Sequence, residues 1–136
     1  MIHSFLLAGQ SNMAGRGIIG QVPPISDERL LVLRNGRWQP MYQPVNGDRP
    51  FSRVCLAESF ALRYAQEHGV QVGLIPCADG GASLLQWREG AYYSTTRCIR
   101  PGWLTAPPPS RAFCGTRERR NARRKITPWR RRGCGR

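Results

Sequence analysis

Lysine is almost missing from this 136-residue chain: of its 21 basic side chains only Lys125 is a lysine. Other absences narrow the possibilities further. No apolar run approaches the roughly 20 residues that a membrane-spanning helix needs, so no membrane partner is expected. Phe5-Leu6-Leu7-Ala8 follows Met1 too closely, and without a basic lead-in, to serve as a secretory signal. An unexported, cytoplasmic protein is the expectation. The five cysteines (Cys55, Cys77, Cys98, Cys114 and Cys134) show no C-x-x-C or other zinc-like spacing. No metal, cofactor or disulfide is therefore assigned. Cys55 and Cys77 sit in apolar contexts and read as small buried hydrophobes. Histidine is scarce too, with His3 and His68 alone. There is no internal repeat.

What is present divides unevenly. Residues 1–96 hold eight arginines against seven acids, a balance of +1, whereas residues 97–136 hold twelve arginines and Lys125 against Glu118, a balance of +12. Together these give the formal +13, so the charge belongs to one end of the molecule. Before that break the chain reads as alternating strand and helix. Residues 3–8 form a short apolar run stopped by Gly9, and residues 29–34 form another. Asn35-Gly36 suits a tight hairpin turn, with Arg37-Trp38-Gln39 as the returning arm before Pro40. Residues 40–50, with three prolines and Asn46-Gly47, read as an irregular surface loop. A helix is expected over 52–68, with Ser52 as N-cap and Gly69 beyond its end. Its apolar face would hold Leu56, Phe60, Leu62, Tyr64 and Ala65, leaving Glu58, Arg63 and Glu67 outside. Residues 70–75 form the next strand, stopped by Pro76, and strand–helix–strand order predicts a parallel α/β sheet with a right-handed crossover.

Ser11 follows the first strand directly, at the carboxyl edge where open α/β sheets bind ligands. Taken alone, a serine there is more commonly a turn cap than a nucleophile. The surrounding residues add more. S-F-L-L-A-G-Q-S-N-M-A-G-R-G at 4–17 closely resembles the opening block of the sialate O-acetylesterase-like, carbohydrate acetylesterase branch of the SGNH hydrolases. The resemblance continues through I-S-D-E-R-L-L-V-L-R-N-G-R-W-Q-P-M-Y-Q-P-V at 25–45 and resumes in Q-V-G-L-I-P-C-A-D-G-G-A-S-L-L-Q-W-R-E-G-A-Y-Y at 71–93. It implies a flavodoxin-like SGNH three-layer α/β sandwich, truncated here to its N-terminal strands, acting on an acetylated carbohydrate. Ser11 matches the nucleophile, whose own N–H is one oxyanion donor. Gly80 or Gly81 matches the place of a second backbone donor, although a plain turn role fits both. Gln10 and Asn12 match the motif and are expected to shape its turn through side-chain hydrogen bonds.

Two family blocks have no counterpart in this reading frame: the central W-x-Q-G-E, which supplies an oxyanion-side amide, and the late D-x-x-H, which supplies the base and its orienting acid. The histidines present do not replace them. His3 opens the strand that Ser11 follows, roughly 25 Å away at about 3.3 Å per residue. His68 ends the helix that leads into the next parallel strand, so it too lies at the far edge. No general base is assigned.

Residues 94–136 are expected to form a disordered basic tail behind a domain of residues 1–93. Eight arginines between Arg117 and Arg132, with Trp129, could bind nucleic acid or another polyanion non-specifically. That is the alternative to an esterase. Electrostatics alone, however, does not favour arginine over lysine by twelve to one. Codons of GC-rich DNA read out of frame do. Re-reading a back-translation of Arg111–Arg119 one nucleotide earlier permits Gly-Ile-Leu-Trp-His-Gln-Gly-Glu, the absent central block. The tail is accordingly read as a frameshift product beginning between Ser94 and Arg100, and the truncated sheet is expected to leave one strand edge unpaired.

Overall fold

The computed structural model describes residues 1–88 and the backbone of Arg111–Gly115. In chain order these residues form β1 (Ile2–Gly9), a single helical turn α1 (Ser11–Ala14), β2 (Leu30–Arg34), β3 (Arg37–Pro40), α2 (Leu56–His68), β4 (Gln71–Pro76), a 3-10 turn (Leu84–Trp87) and β5 (Arg111–Gly115). The sheet order is β3-β2-β4-β1-β5. β4 lies parallel between β2 and β1, and only the β2–β3 hairpin is antiparallel. Asn35 and Gly36 close that hairpin with φ of 51° and 73°, the positive values such a turn requires.

Alternation along the strands separates two apolar layers. Phe5 and Leu7 of β1, Leu30 and Val32 of β2, and Val72 and Leu74 of β4 meet α2 on one face. Leu33, Ile75 and Cys77, backed by Leu6, Trp38 and Trp87, occupy the other. α2 is the long helix among the described residues, and it packs closely because its inner surface is small: Ala57, Ala61 and Ala65 are all fully buried. Tyr64 completes this surface, edge-on to Phe5 with ring centroids 4.8 Å apart.

Three expectations need correction here. The helix begins at Leu56 rather than at residue 52, and Cys55, not Ser52, is its N-cap. Ser52 turns instead toward Asp48. Glu58, expected on the outer face, is only 1% exposed. The reason is local: Glu58 is the third helical residue, and its Oε1 accepts the Cys55 N–H at 3.2 Å, so its carboxylate satisfies an end-of-helix donor that has no partner inside the helix. Gln43 donates to its other oxygen. The inward face is thus three alanines, Tyr64 and one capping carboxylate, while Leu56, expected inside, is 38% exposed.

The third correction concerns the tail. Arg111–Gly115 is a strand parallel to β1, pairing Phe5 with Arg111 and Gly9 with Gly115. The outer edge of β1 is a row of backbone donors and acceptors that templates any extended segment within reach, and Arg-Ala-Phe-Cys-Gly supplies one. β1 therefore has no unpaired edge. The remainder of the expected tail, residues 94–110 and 116–136, lies outside the described residues.

Beyond α1 the chain turns on Gly15, which is buried at φ 98°. A β-carbon there would stand 2.3 Å from the Arg53 carbonyl oxygen. The close approach lets Arg53 N–H donate to Gly15 O at 3.2 Å and lets Gly17 and Val54 exchange both backbone hydrogen bonds. Gly15→Ala is expected to destabilise the protein by about 2 kcal/mol or more, through strain and displaced backbone. Gly20→Ala, at φ 93° with nothing within 4 Å, is expected to cost only the conformational part, about 1 kcal/mol. Urea unfolding midpoints compare the two.

Candidate functional site

The site begins where β1 stops. A hydrogen bond of 2.9 Å from Ala14 N–H to Gln10 O winds residues 11–14 into one helical turn. Two groups anchor this turn: the fully buried Met13 side chain, and Asn46 Nδ2, which donates to Met13 O at 3.0 Å. Ser11 is left half-buried at the sheet's carboxyl edge. Its N–H is a first-turn donor with no acceptor inside the turn.

The glycine loop arrives from the neighbouring strand. β4 runs on past Pro76 beside β1, with Cys77 N–H donating to Leu7 O and Asp79 N–H donating to Gly9 O, both at 3.0 Å. Gln10 Nε2 then donates to Ala82 O, closing the loop 79–82 onto the serine turn. The structure therefore brings Ser11, Gln10, Gly80 and Gly81 together. Asn12 is exposed, and no side-chain hydrogen bond from it is found among the described residues, whereas the Gln10 side chain reaches Ala82 O.

The two glycines differ. A β-carbon on Gly80 would lie 2.3 Å from Arg16 Nη2 and 3.2 Å from Asp48 Oδ2, so Gly80 is glycine because other groups pack against it. Gly81 has φ 90°, and a β-carbon there would meet nothing within 4 Å. Its backbone is turned in a way other residues resist, and it borders open space.

Asp48 is the group that sequence reasoning missed. Its side chain is 1% exposed. Arg16 Nη2 donates to it at 3.0 Å, the Gly80 N–H at 2.9 Å, and the Ser52 hydroxyl completes the set. Burial alone would raise the Asp48 pKa, but the hydrogen bonds from Arg16, Ser52 and Gly80, together with the Arg16 charge, outweigh it and hold the carboxyl at about 2. Arg49 braces the same loop from outside, 3.6 Å from Asp79 and 3.3 Å from Gly80 O. The segment 40–50 is irregular and largely at the surface, as its prolines suggested, but part of it turns inward. Val45 and Asn46 are buried with Asp48, and Arg34 Nη2 donates to Pro44 O at 2.6 Å and Val45 O at 2.9 Å. An aspartate after Asn-Gly looks like a turn residue, and no local signal marks it as the partner of an arginine 32 positions earlier.

Both histidines lie at the opposite end of the sheet. His3 pairs with Val72 at the start of β4, and its Nδ1 is 3.0 Å from the Tyr64 hydroxyl. His68 stacks on the same ring, with centroids 4.2 Å apart. Neither reaches Ser11. Among the described residues no group of three His, Cys, Asp or Glu could hold a metal. Burial pushes the Cys55 thiol up to about 11, which keeps it protonated and inert.

A profile of the family described as carbohydrate esterase, sialic acid-specific acetylesterase, matches residues 1–100. The chain is similar to the probable carbohydrate esterase At4g34215 of Arabidopsis thaliana, 29% identical over 109 residues that cover 65% of this chain and 42% of the relative. It is also similar to the X-ray structure of the Arabidopsis thaliana protein AT4G34215, with a TM-score of 0.60 and 27% identity, covering 67% of this chain and 46% of that one. The chain spans less than half the length of either.

The latch gives a pH prediction. Asp48 has its ordinary pKa of 3.8 when unfolded and about 2 when folded, so its stabilisation is complete above about pH 4 and is lost as pH falls through 2. At pH 5, Asp48→Asn is expected to cost about 1–3 kcal/mol, because Arg16 loses its counter-charge. Urea unfolding should show the difference between the two proteins narrowing from pH 5 to pH 2.

Proposed function

Because this chain belongs to the carbohydrate esterase, sialic acid-specific acetylesterase family, we propose that Ser11 is the nucleophile of an SGNH-type esterase that removes O-acetyl groups from carbohydrate, and that this chain is an inactive, frameshifted form of it. The observation that carries the first half is the meeting of the Ser11 turn with the Gly80–Gly81 loop, held by Gln10 to Ala82 and by Asp79 to Gly9. In an intact enzyme Ser11 Oγ attacks the acetyl carbonyl carbon while a base takes its proton. The tetrahedral oxyanion is held by backbone N–H groups, and the sugar oxygen leaves with the proton. Water then hydrolyses the acetyl-serine by the same steps. The substrate is accordingly an acetylated sugar, such as an acetylated sialic acid or xylan unit.

Inactivity follows from the base. A serine hydroxyl is a weak nucleophile until its proton is taken, and both histidines of this sequence sit on Tyr64 at the far edge. Two further observations support the frameshift. The family match ends at residue 100, at the limit of the window in which the composition breaks. And β5 lies beside β1 with Gly115 opposite Gly9. In the alternative frame the same stretch permits Gly-Ile-Leu-Trp-His, followed by the glutamine of the central block in the codon that straddles Thr116 and Arg117. A strand in that slot delivers this amide to the sheet edge where Ser11 stands.

Hydrolysis of p-nitrophenyl acetate by the purified chain is expected to equal that of its Ser11→Ala variant. A frame-restored protein should recover several powers of ten in rate, as serine hydrolases lose when triad members are removed, and Ser11→Ala should abolish that gain. Activity in the unrestored chain above its own Ser11→Ala control would overturn the placement of the base. Resequencing the coding DNA around Tyr93 checks the frame, which should show one nucleotide gained or lost before the Arg100 codon.

A further inference from the structure

We propose that Asp48 is a positioning residue that decides which glycine serves the oxyanion: it takes the Gly80 N–H for itself and leaves the Gly81 N–H as the donor that works beside Ser11. The inference rests on the esterase reading above.

Two backbone donors follow one another in this loop, and a sequence pattern of two glycines does not separate them. The geometry does. The Gly80 N–H donates to Asp48 Oδ2 at 2.9 Å, a charge-assisted bond to a carboxylate that stays ionised down to about pH 2. A developing oxyanion that used this donor would have to draw it away from a buried anion, and would itself lie against that anion's charge. Arg16 Nη2 fills the space beside Gly80 Cα, so a substrate oxygen has no room on that side. At Gly81 each condition is reversed. No hydrogen bond from its N–H is found among the described residues, and open space lies beside its Cα at φ 90°. On either side of it the loop is pinned, by Asp79 N–H to Gly9 O and by Gln10 to Ala82 O. A donor without a partner, in a loop held on both sides of it, is preorganised for an anion, since little reorganisation is needed when charge develops.

Asp48 thus acts through the loop and touches no substrate. Its capture of the Gly80 N–H fixes the Asp79–Gly80 peptide. Arg49 holds the next peptide, the one that carries the Gly81 N–H, by donating to Gly80 O at 3.3 Å, so both ends of the Gly80 residue are engaged by groups from the 48–49 segment.

The test uses the chain as it is, without catalysis. Acetate, the product of the proposed reaction, is titrated into 15N-labelled protein, and the backbone amides are followed by NMR at pH 6. Acetate is expected to shift the Ser11 and Gly81 amides together and to leave Gly80 in place. In Asp48→Ala the Gly81 response should require about tenfold more acetate, the cost of one unmade charge-assisted hydrogen bond, while the Ser11 response persists. Asp48→Asn, which keeps an acceptor for Gly80, should restore the Gly81 response. Loss of fold is monitored by the Val72 and Leu74 amides of β4 in the same spectra. A Ser11 response with Gly80 shifting and Gly81 silent overturns this inference and leaves the esterase reading standing. The inference is equally overturned if Asp48→Ala leaves the Gly81 response intact. A titration in which Ser11 does not respond removes the oxyanion site itself, and both readings with it.

Discussion

One buried carboxylate sets the arrangement of the loops at the working edge of this sheet. Taking a charge out of water costs several kcal/mol unless partners replace the lost hydration. The Asp48 side chain is 1% exposed and has three such partners: a guanidinium from Arg16, a hydroxyl from Ser52 and a backbone N–H from Gly80. These come from the segments that follow β1, precede α2 and follow β4. None of the three can move away without leaving a charge or donor unpaired. The position of the glycine loop relative to Ser11 is therefore a consequence of electrostatic satisfaction around Asp48, as much as of strand pairing beneath it.

The two ends of the sheet solve different problems. At the amino edge, aromatic rings and histidines close the gap between β1 and α2. Phe5, Phe60 and Tyr64 pack as neighbouring rings, His3 meets the Tyr64 hydroxyl, and His68 covers the ring. At the carboxyl edge the packing is polar and made by loops, with Asn46, Asp48 and Asp79 as its buried side chains. Apolar contacts near the amino edge tolerate small shifts. Hydrogen bonds to named atoms do not, because their strength falls steeply with angle and distance. Catalytic geometry belongs on the second kind of edge.

How much of this was legible depended on whether the signal was periodic. The strands and the hairpin announced themselves through short apolar runs and through Asn35-Gly36, and they stand within a residue or two of where they were read. The helix was placed correctly at its end, where Gly69 adopts the left-handed conformation, and misplaced at its start. There Ser52 offered a better cap by residue type than Cys55, but its hydroxyl was committed to Asp48. Glu58 was misread for a related reason: its charge argued for solvent, while its position three residues into the helix gave it a donor to satisfy. Segment 40–50 was read correctly as irregular, but not for what it buries. Prolines and Asn-Gly describe how a backbone turns and say nothing of what its side chains reach. Asp48 and Asn46 act through partners 32 and 33 residues away, Arg16 and Gly80 for the one and Met13 for the other, a separation that no window along the chain contains.

Strand β5 carries the same lesson in reverse. Nothing in the periodicity of the basic end asked for a strand, yet Arg111–Gly115 runs along β1 because an interior strand of this sheet has two edges to satisfy. The demand comes from β1 and not from the segment that meets it. β1 is central: it carries Ser11 at its end, Phe5 and Leu7 in the main core, and β4 on its other side. A strand so placed is held on both edges in any working form of the fold. The slot beside β1 is filled by Arg111–Gly115, whose last residue pairs with Gly9, two positions before Ser11. The position after Gly115 is a threonine at the head of an arginine-rich run. The fold thus specifies the slot beside β1 more strictly than it specifies the sequence that fills it.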